Sequence, residues 1–528
     1  MKKLSKFFAL SCASLMIGAA ALTFAGCANT EKTVVLRVCS WEEYIDLGDW
    51  DEDERIDIEN PYGENGVFGE NSMVDDFTEW FNNNHDYKIK VEYSTFGTNE
   101  DLYNRLSLGD TYDLVCPSDY MLMKLIDEGN YVEFSDEFWD MENKENYYAI
   151  NVSRYIDGAE GKGIFNTFFE KPEDNWHKKA ACYMWGTTGL VYNPDKIANT
   201  EDVSTWNILL NEDYNRQITI KDNVRDAYFA TLGIINSDEL RSENFDGDRS
   251  VILNDTSSET IAKAEDVLKK IKDNVYSFET DAGKSDMVTG KVVANYQWSG
   301  DAVYIMDEAE GDEKNPVELW YSVPDECANL WFDGWIMLKD GVGENAQKRE
   351  AAEAFVNFLS RPDNAVRNMY YIGYTSAIAG DTVFEYMDWN YGATEDAEET
   401  FEYDLSYFFG ENKTMTVDCA NFEFDSEDKT VINRGRQLFA QYPSENVIER
   451  SVVMLDFDYG NGNDEKLREI NQMWINVRCL DAKDISPVTI GIIAGVVGAL
   501  IIAILLYVFR YKIFFNYKPK KGYELVEK

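Results

Sequence analysis

The residue types that most often carry catalysis are scarce in this sequence. His85 and His177 are its two histidines, which argues against a multi-histidine metal site and against a Ser-His-Asp hydrolase, and no G-x-S-x-G elbow is present. Cys39, Cys116, Cys182, Cys327, Cys419 and Cys479 show no CxxC or metal-like spacing. They are open to two readings, disulfides formed outside the cell or scattered buried thiols. Acids and aromatics are what abound. Asp and Glu number 97 against 49 Lys and Arg, for a formal charge of −48, and 14% of residues are aromatic. A nucleic-acid partner is excluded, because phosphate recognition needs a basic face. The favoured ligand is a cation. No cofactor and no metal site is expected.

The two ends read as membrane elements. Residues 1–27 run from Lys2, Lys3 and Lys6 through an apolar stretch to Ala25-Gly26-Cys27, the pattern of an export signal. The ending resembles a bacterial lipobox, with Phe24 where Leu is usual, so Cys27 is expected to be lipidated and held by membrane lipid; ordinary cleavage with Cys27 left free is the alternative. Ser486–Phe509 holds no charged residue, long enough for one transmembrane helix. The basic tail 510–528 that follows is placed in the cytoplasm by its Lys and Arg excess. Between the ends, 40 basic and 95 acidic residues leave an extracellular segment of charge −55.

That segment alternates strand and helix. Strands are predicted at Lys32–Ser40, Lys88–Ser94 and Tyr112–Pro117, with helices at Val74–Asn82, Asn99–Ser107 and Met121–Asp127. A second set holds strands near Ala181–Gly186, Gln217–Ile220, Val292–Tyr296 and Leu330–Leu338, with helices at Trp206–Leu210, Asn223–Leu232, Thr260–Asp273 and Gln347–Leu359. Alternation of this kind predicts α/β lobes built on parallel sheets, two of them for this length, with ligands bound beyond the carboxyl ends of the strands.

Five motifs in series then carry a resemblance. Trp41-Glu42-Glu43-Tyr44, the run Tyr112 to Tyr120, Met184-Trp185-Gly186-Thr187-Thr188-Gly189, Trp331-Phe332-Asp333 and Ile372-Gly373-Tyr374 resemble the spermidine/putrescine-binding proteins, the solute-binding subunits of polyamine ABC importers. The resemblance runs from about Val35 to Ile378. It implies a two-lobed, periplasmic-binding-protein-like (type 2) α/β fold with a hinge, here with a C-terminal transmembrane helix added. It implies no enzymatic activity, and permease and ATPase subunits as partners. Carried over residue by residue, it places Trp41, Tyr44, Ser118, Tyr120, Trp298, Trp331, Asp333 and Tyr374 in the cleft. In the helix opening at Asn223 the family usually has two acids around an Arg. Asp226 matches the second, whereas the first position is Asn223, with Asp222 one residue earlier, so one ammonium contact is lost or moved to Asp222.

The chemistry fits such a ligand. Aromatic faces suit the methylenes and attract ammonium groups, and separated carboxylates fix the charges. Asp226 and Asp333 are the expected anchors, Trp298, Trp331 and Tyr374 the walls, and Arg225 a structural ion-pair partner. The implied organisation is a signal at 1–27, a first lobe at 28–180 and 326–378, a second lobe at 181–325 and 379–485, a membrane span at 486–509 and the tail 510–528. Two acidic stretches fall outside the family pattern. Residues 46–71 are expected to form a solvated loop over the cleft mouth, and Gly380–Asp428 to decorate the second lobe. Another organic cation or small solute, and a membrane-coupled sensor, remain alternatives.

Overall fold

A computed structural model describes residues 33–63, 66–157, 161–167, 175–280, 282–312, 314–424, 431–458, 465–479 and 487–514. The signal with Cys27, the start of the expected span at Ser486 and the tail from 515 lie outside the described residues. The chain forms two compact units, divided after Ile470.

In the first unit, strand β1 (Val34–Trp41) alternates buried and partly exposed positions at its start and pairs in parallel with β2 (Ile89–Phe96) and β3 (Leu114–Val115). The helix Met73–Asn84 enters between β1 and β2, capped by Ser72, whose hydroxyl accepts the Asp75 amide. Its buried Phe77 and Phe81 are the apolar face that the sequence pattern predicts. The helix Asp119–Asp127 leaves β3 directly. A second parallel set, β5 (Ile218–Lys221) between β6 (Ser277–Glu279) and β7 (Ala294–Trp298), carries the helix Val224–Ile235 after β5 and Ser299–Glu310 after β7.

Two long buried strands join these sets. The twelve residues of β4 (Ala181–Tyr192) are all buried, as near-continuous apolar runs are when both faces of a sheet are covered. Its first half pairs antiparallel with β9 (Leu330–Met337), and its second half with β7 and with β8 (Trp320–Ser322). β9 in turn pairs with β3, so one sheet runs continuously through both sets. Trp206–Leu210, expected as a helix, is a short 3-10 turn.

The stretch 46–71 differs from the solvated loop expected of its composition. Asp46 is fully buried, as is Ile56, and Val67 pairs with Ile56 across a short bridge. Asp46 takes a 2.7 Å ion pair from Arg367, which also reaches Asp76 at 2.7 Å. A buried charge persists only when paired, so Asp46, with Trp50, Ile56 and Val67, ties the segment to the core, while Asp49, Asp51, Glu52 and Asp53 stay exposed. Gly380–Asp428 contributes the helix Asp381–Tyr391 and a two-stranded antiparallel sheet, Thr400–Asp404 with Thr414–Asp418. Phe408 from this stretch stacks on Trp185 at 5.2 Å, and Tyr403 donates to the Tyr442 carbonyl. Cys39, Cys116, Cys182 and Cys327 are buried thiols.

The second unit contains the helix Pro487–Phe514. Its described side chains cover 495–509, with Val496, Leu500, Ile504 and Phe509 among the exposed ones. Among the described residues no helix is long and apolar enough to cross a membrane.

Candidate functional site

Each cluster of expected site residues sits where a strand ends or crosses. β1 delivers Trp41 opposite Phe96 of β2, rings 4.8 Å apart. Three residues on, the buried Tyr44 donates its hydroxyl to Asp333 Oδ2 at 2.5 Å. Asp333 lies on β9 opposite Met184 and is bridged to Ser118, the residue that opens the helix after β3. Burial pushes the Asp333 carboxyl up to about 6, with the Ser118 and Tyr44 hydroxyls pulling the other way. Its Oδ1 is buried without a hydrogen-bond partner. Such an acceptor costs free energy unless something donates to it.

The aromatic walls are placed by glycines. Trp331 of β9 faces Gly186 of β4, where a Cβ would come within 2.7 Å of the indole. Gly300 does the same for Tyr374, whose ring atom Cε2 would lie 2.6 Å from an added Cβ. With both positions open, Tyr374 stands 5.6 Å from Trp331 and 5.2 Å from Tyr44 in edge-on contacts. Trp298 ends β7 opposite Thr188 and caps the helix Ser299–Glu310.

Around Trp298 the charges are satisfied from within. Asn223 caps the helix Val224–Ile235, accepting the Asp226 amide at 2.8 Å and donating its own amide to the Asp226 carboxylate. Burial raises Asp226 above the usual carboxylate range, opposed by Asn223 and by the charge of Lys221. Lys221 is buried at the end of β5 with its ammonium 3.5 Å from the Trp298 ring centroid and 3.3 Å from Asp301. Asp301 also pairs with Lys284 at 2.9 Å and accepts the Tyr374 hydroxyl at 3.0 Å. Against burial, which would raise it, Lys284 and Lys221 hold the Asp301 carboxyl below its ordinary value.

The structure thus brings Tyr44, Ser118, Asp333, Trp331 and Tyr374 together at one end, and Trp298, Asn223 and Asp226 at the other. Tyr374 links the two through Asp301. Tyr120 meets the second end through Arg225, whose guanidinium lies 3.5 Å from its ring, while Asn99 donates to its hydroxyl. Arg225 pairs with Asp456 at 3.2 Å, the structural role expected of it. Asp222 is exposed, its amide tied to the Glu279 carbonyl, and the side chain holding Asp226 is that of Asn223. Three residues escaped the sequence reading. Lys221 stands at the carboxyl end of a strand and Asp301 three residues after Trp298, both within reach of the strand-end rule. Asp119, fully buried beside Ser118, accepts the Phe332 and Tyr120 amides, and burial pushes its carboxyl up to about 8. It is therefore mostly uncharged at neutral pH.

Carboxylates and aromatic rings stand at both ends, the groups that bind a cation carrying methylenes. The family of bacterial extracellular solute-binding proteins matches residues 72–380, more than half of the chain. This chain belongs to that family. It is a binding protein, not an enzyme. Its similarity reaches the putrescine-binding periplasmic protein SpuD of Pseudomonas aeruginosa, 27% identical over 295 residues, 52% of this chain and 68% of that protein. It also reaches the spermidine/putrescine-binding periplasmic protein of Salmonella typhimurium, 27% identical over 288 residues, 54% of this chain and 70% of that protein. The substrate-binding protein PotD of a Streptococcus pneumoniae spermidine/putrescine ABC transporter superposes with a TM-score of 0.51 at 22% identity, covering 84% of this chain and all of that one. This solute-binding protein therefore has the mixed α/β, periplasmic-binding-protein-like fold.

Proposed function

We propose that the protein captures polyamines outside the cell and delivers them to the permease and ATPase subunits of an ABC importer. The observation that carries this reading is Asp333, a buried carboxylate with an unpartnered oxygen, set among Tyr44, Trp331 and Tyr374. An ammonium group satisfies that oxygen while the rings cover the methylenes. Relatives that bind putrescine and spermidine support the same ligand class. In this reading Trp41, Tyr44, Ser118, Tyr120, Trp298, Trp331 and Tyr374 line the cleft and Asp333 and Asp226 anchor charge. Asn223 orients Asp226, and Asp222 makes no ligand contact. The two strand sets act as lobes, 28–180 with 326–378 and 181–325 with 379–485, hinged on β4 and β9. In the same reading Cys27 carries lipid that tethers the chain to the membrane.

Thermal-shift screening with putrescine, spermidine, spermine, amino acids and sugars tests the ligand class. Stabilisation by at least one polyamine is expected. Stabilisation by a sugar or an anion, with none by any polyamine, overturns it.

A further inference from the structure

We infer that Lys221 is an internal cation that selects diamines over longer polyamines, by occupying the place at the Trp298 end of the cleft that a third ligand ammonium would need. This rests on the polyamine reading above and deepens it.

A buried lysine is rare because taking an ammonium out of water costs heavily unless it is paired. Lys221 is fully buried at the end of β5, and its ammonium has the two partners that a ligand ammonium seeks here: the face of Trp298 at 3.5 Å and a carboxylate of Asp301 at 3.3 Å. Burial lowers its pKa, and Asp301 pulls it back towards the charged form. The charge of Asp301 is already shared by Lys221, Lys284 and the Tyr374 hydroxyl. Asp119 is tied to backbone amides and mostly protonated near neutrality. Asp456 is paired with Arg225. Asp333, and Asp226 shared with the Asn223 amide, are then the carboxylates that can meet ligand charge, and two anchors match two ammonium groups. A third ammonium at this end would compete with the Lys221 ammonium for the Trp298 ring and the Asp301 carboxylate, in surroundings where like charges repel strongly. Asn223 points the same way, because it puts a neutral amide where a further carboxylate would answer that third charge.

Calorimetry on the full chain in detergent, with putrescine and with spermidine as probes, tests the inference. The wild type is expected to bind putrescine at least tenfold more tightly than spermidine. Lys221→Met, apolar and of similar length, should narrow that ratio at least tenfold, chiefly by tightening spermidine, and Lys221→Arg should keep it. A structural role alone would weaken both ligands by the same factor and leave the ratio in place, which would overturn the inference. So would a wild type that binds spermidine as tightly as putrescine, a measurement that needs no folded variant. If the wild type binds neither polyamine, it is the polyamine reading itself that fails.

Discussion

The two ends of the cleft carry the same residue types and opposite states of charge. At the first end, Asp333 has aromatic neighbours and the Ser118 and Tyr44 hydroxyls but, among the described residues, no ion-pair partner, and burial lifts its carboxyl to about 6. At the second, Asp226 is bonded by Asn223, and the Lys221 ammonium already lies on the Trp298 ring. The first end is an unmet demand for a cation, and the second is largely met from within. A charged ligand therefore gains most at Asp333, because pairing removes a desolvation cost there that the free protein carries.

The largest expected effect follows from breaking the first end. Asp333→Asn removes the anion of this end and should weaken putrescine binding at least a hundredfold, roughly 3 kcal/mol, when measured by calorimetry. Its unliganded stability should hold or rise, since a neutral amide is cheaper to bury than a carboxylate. Trp331→Ala, next in size, should weaken binding about tenfold or more, because it removes a wall of the cleft as well as a cation-attracting face. Unchanged affinity in either variant would move the site away from β9.

Acidity separates the ends as well. The Asp333 carboxyl is raised in the folded protein, so its protonated form is favoured by folding. Its contribution to the stability of the unliganded protein is largest below pH about 4 and declines as pH climbs to about 6. Ligand binding has the opposite sign, since an ammonium requires the ionised acid. Affinity should rise up to tenfold per pH unit below 6 and level off above it, and Asp333→Asn should flatten that profile. Asp119, raised to about 8, titrates above this window. An affinity independent of pH between 5 and 7 would assign the anchoring charge elsewhere.

What the sequence made legible is local and periodic. The strands ending at Trp41, Val115 and Trp298 are marked by β-rich runs and the crossing strand Leu330–Met337 by its aromatic density, whereas the site residues they carry are named by the resemblance of five motifs. Pairings between distant residues were hidden. Asp46 meets Arg367 across 321 positions, and an acidic stretch that contains such a pair is indistinguishable by composition from a solvated loop. Lys221 was hidden for a related reason. A lysine at a strand end reads as solvent-facing until the rings that cover it are in place, and Asp301, its partner, lies 80 residues further on.

The smallest expected effect sharpens the comparison instead of breaking it. Asn223→Asp puts a carboxylate at the cap, and Asp caps a helix as well as Asn does. The Asp226 amide keeps its acceptor, so the melting temperature should change by no more than a few degrees. The new carboxylate, however, no longer donates to the Asp226 carboxylate as the Asn223 amide does, so two acids stand side by side. The second end then acquires an unmet demand like that of the first. Spermidine should gain several-fold in affinity while putrescine, already matched to two anchors, changes little. Equal gains for both ligands would show that the second end responds to total negative charge and not to the number of ammonium groups it must place.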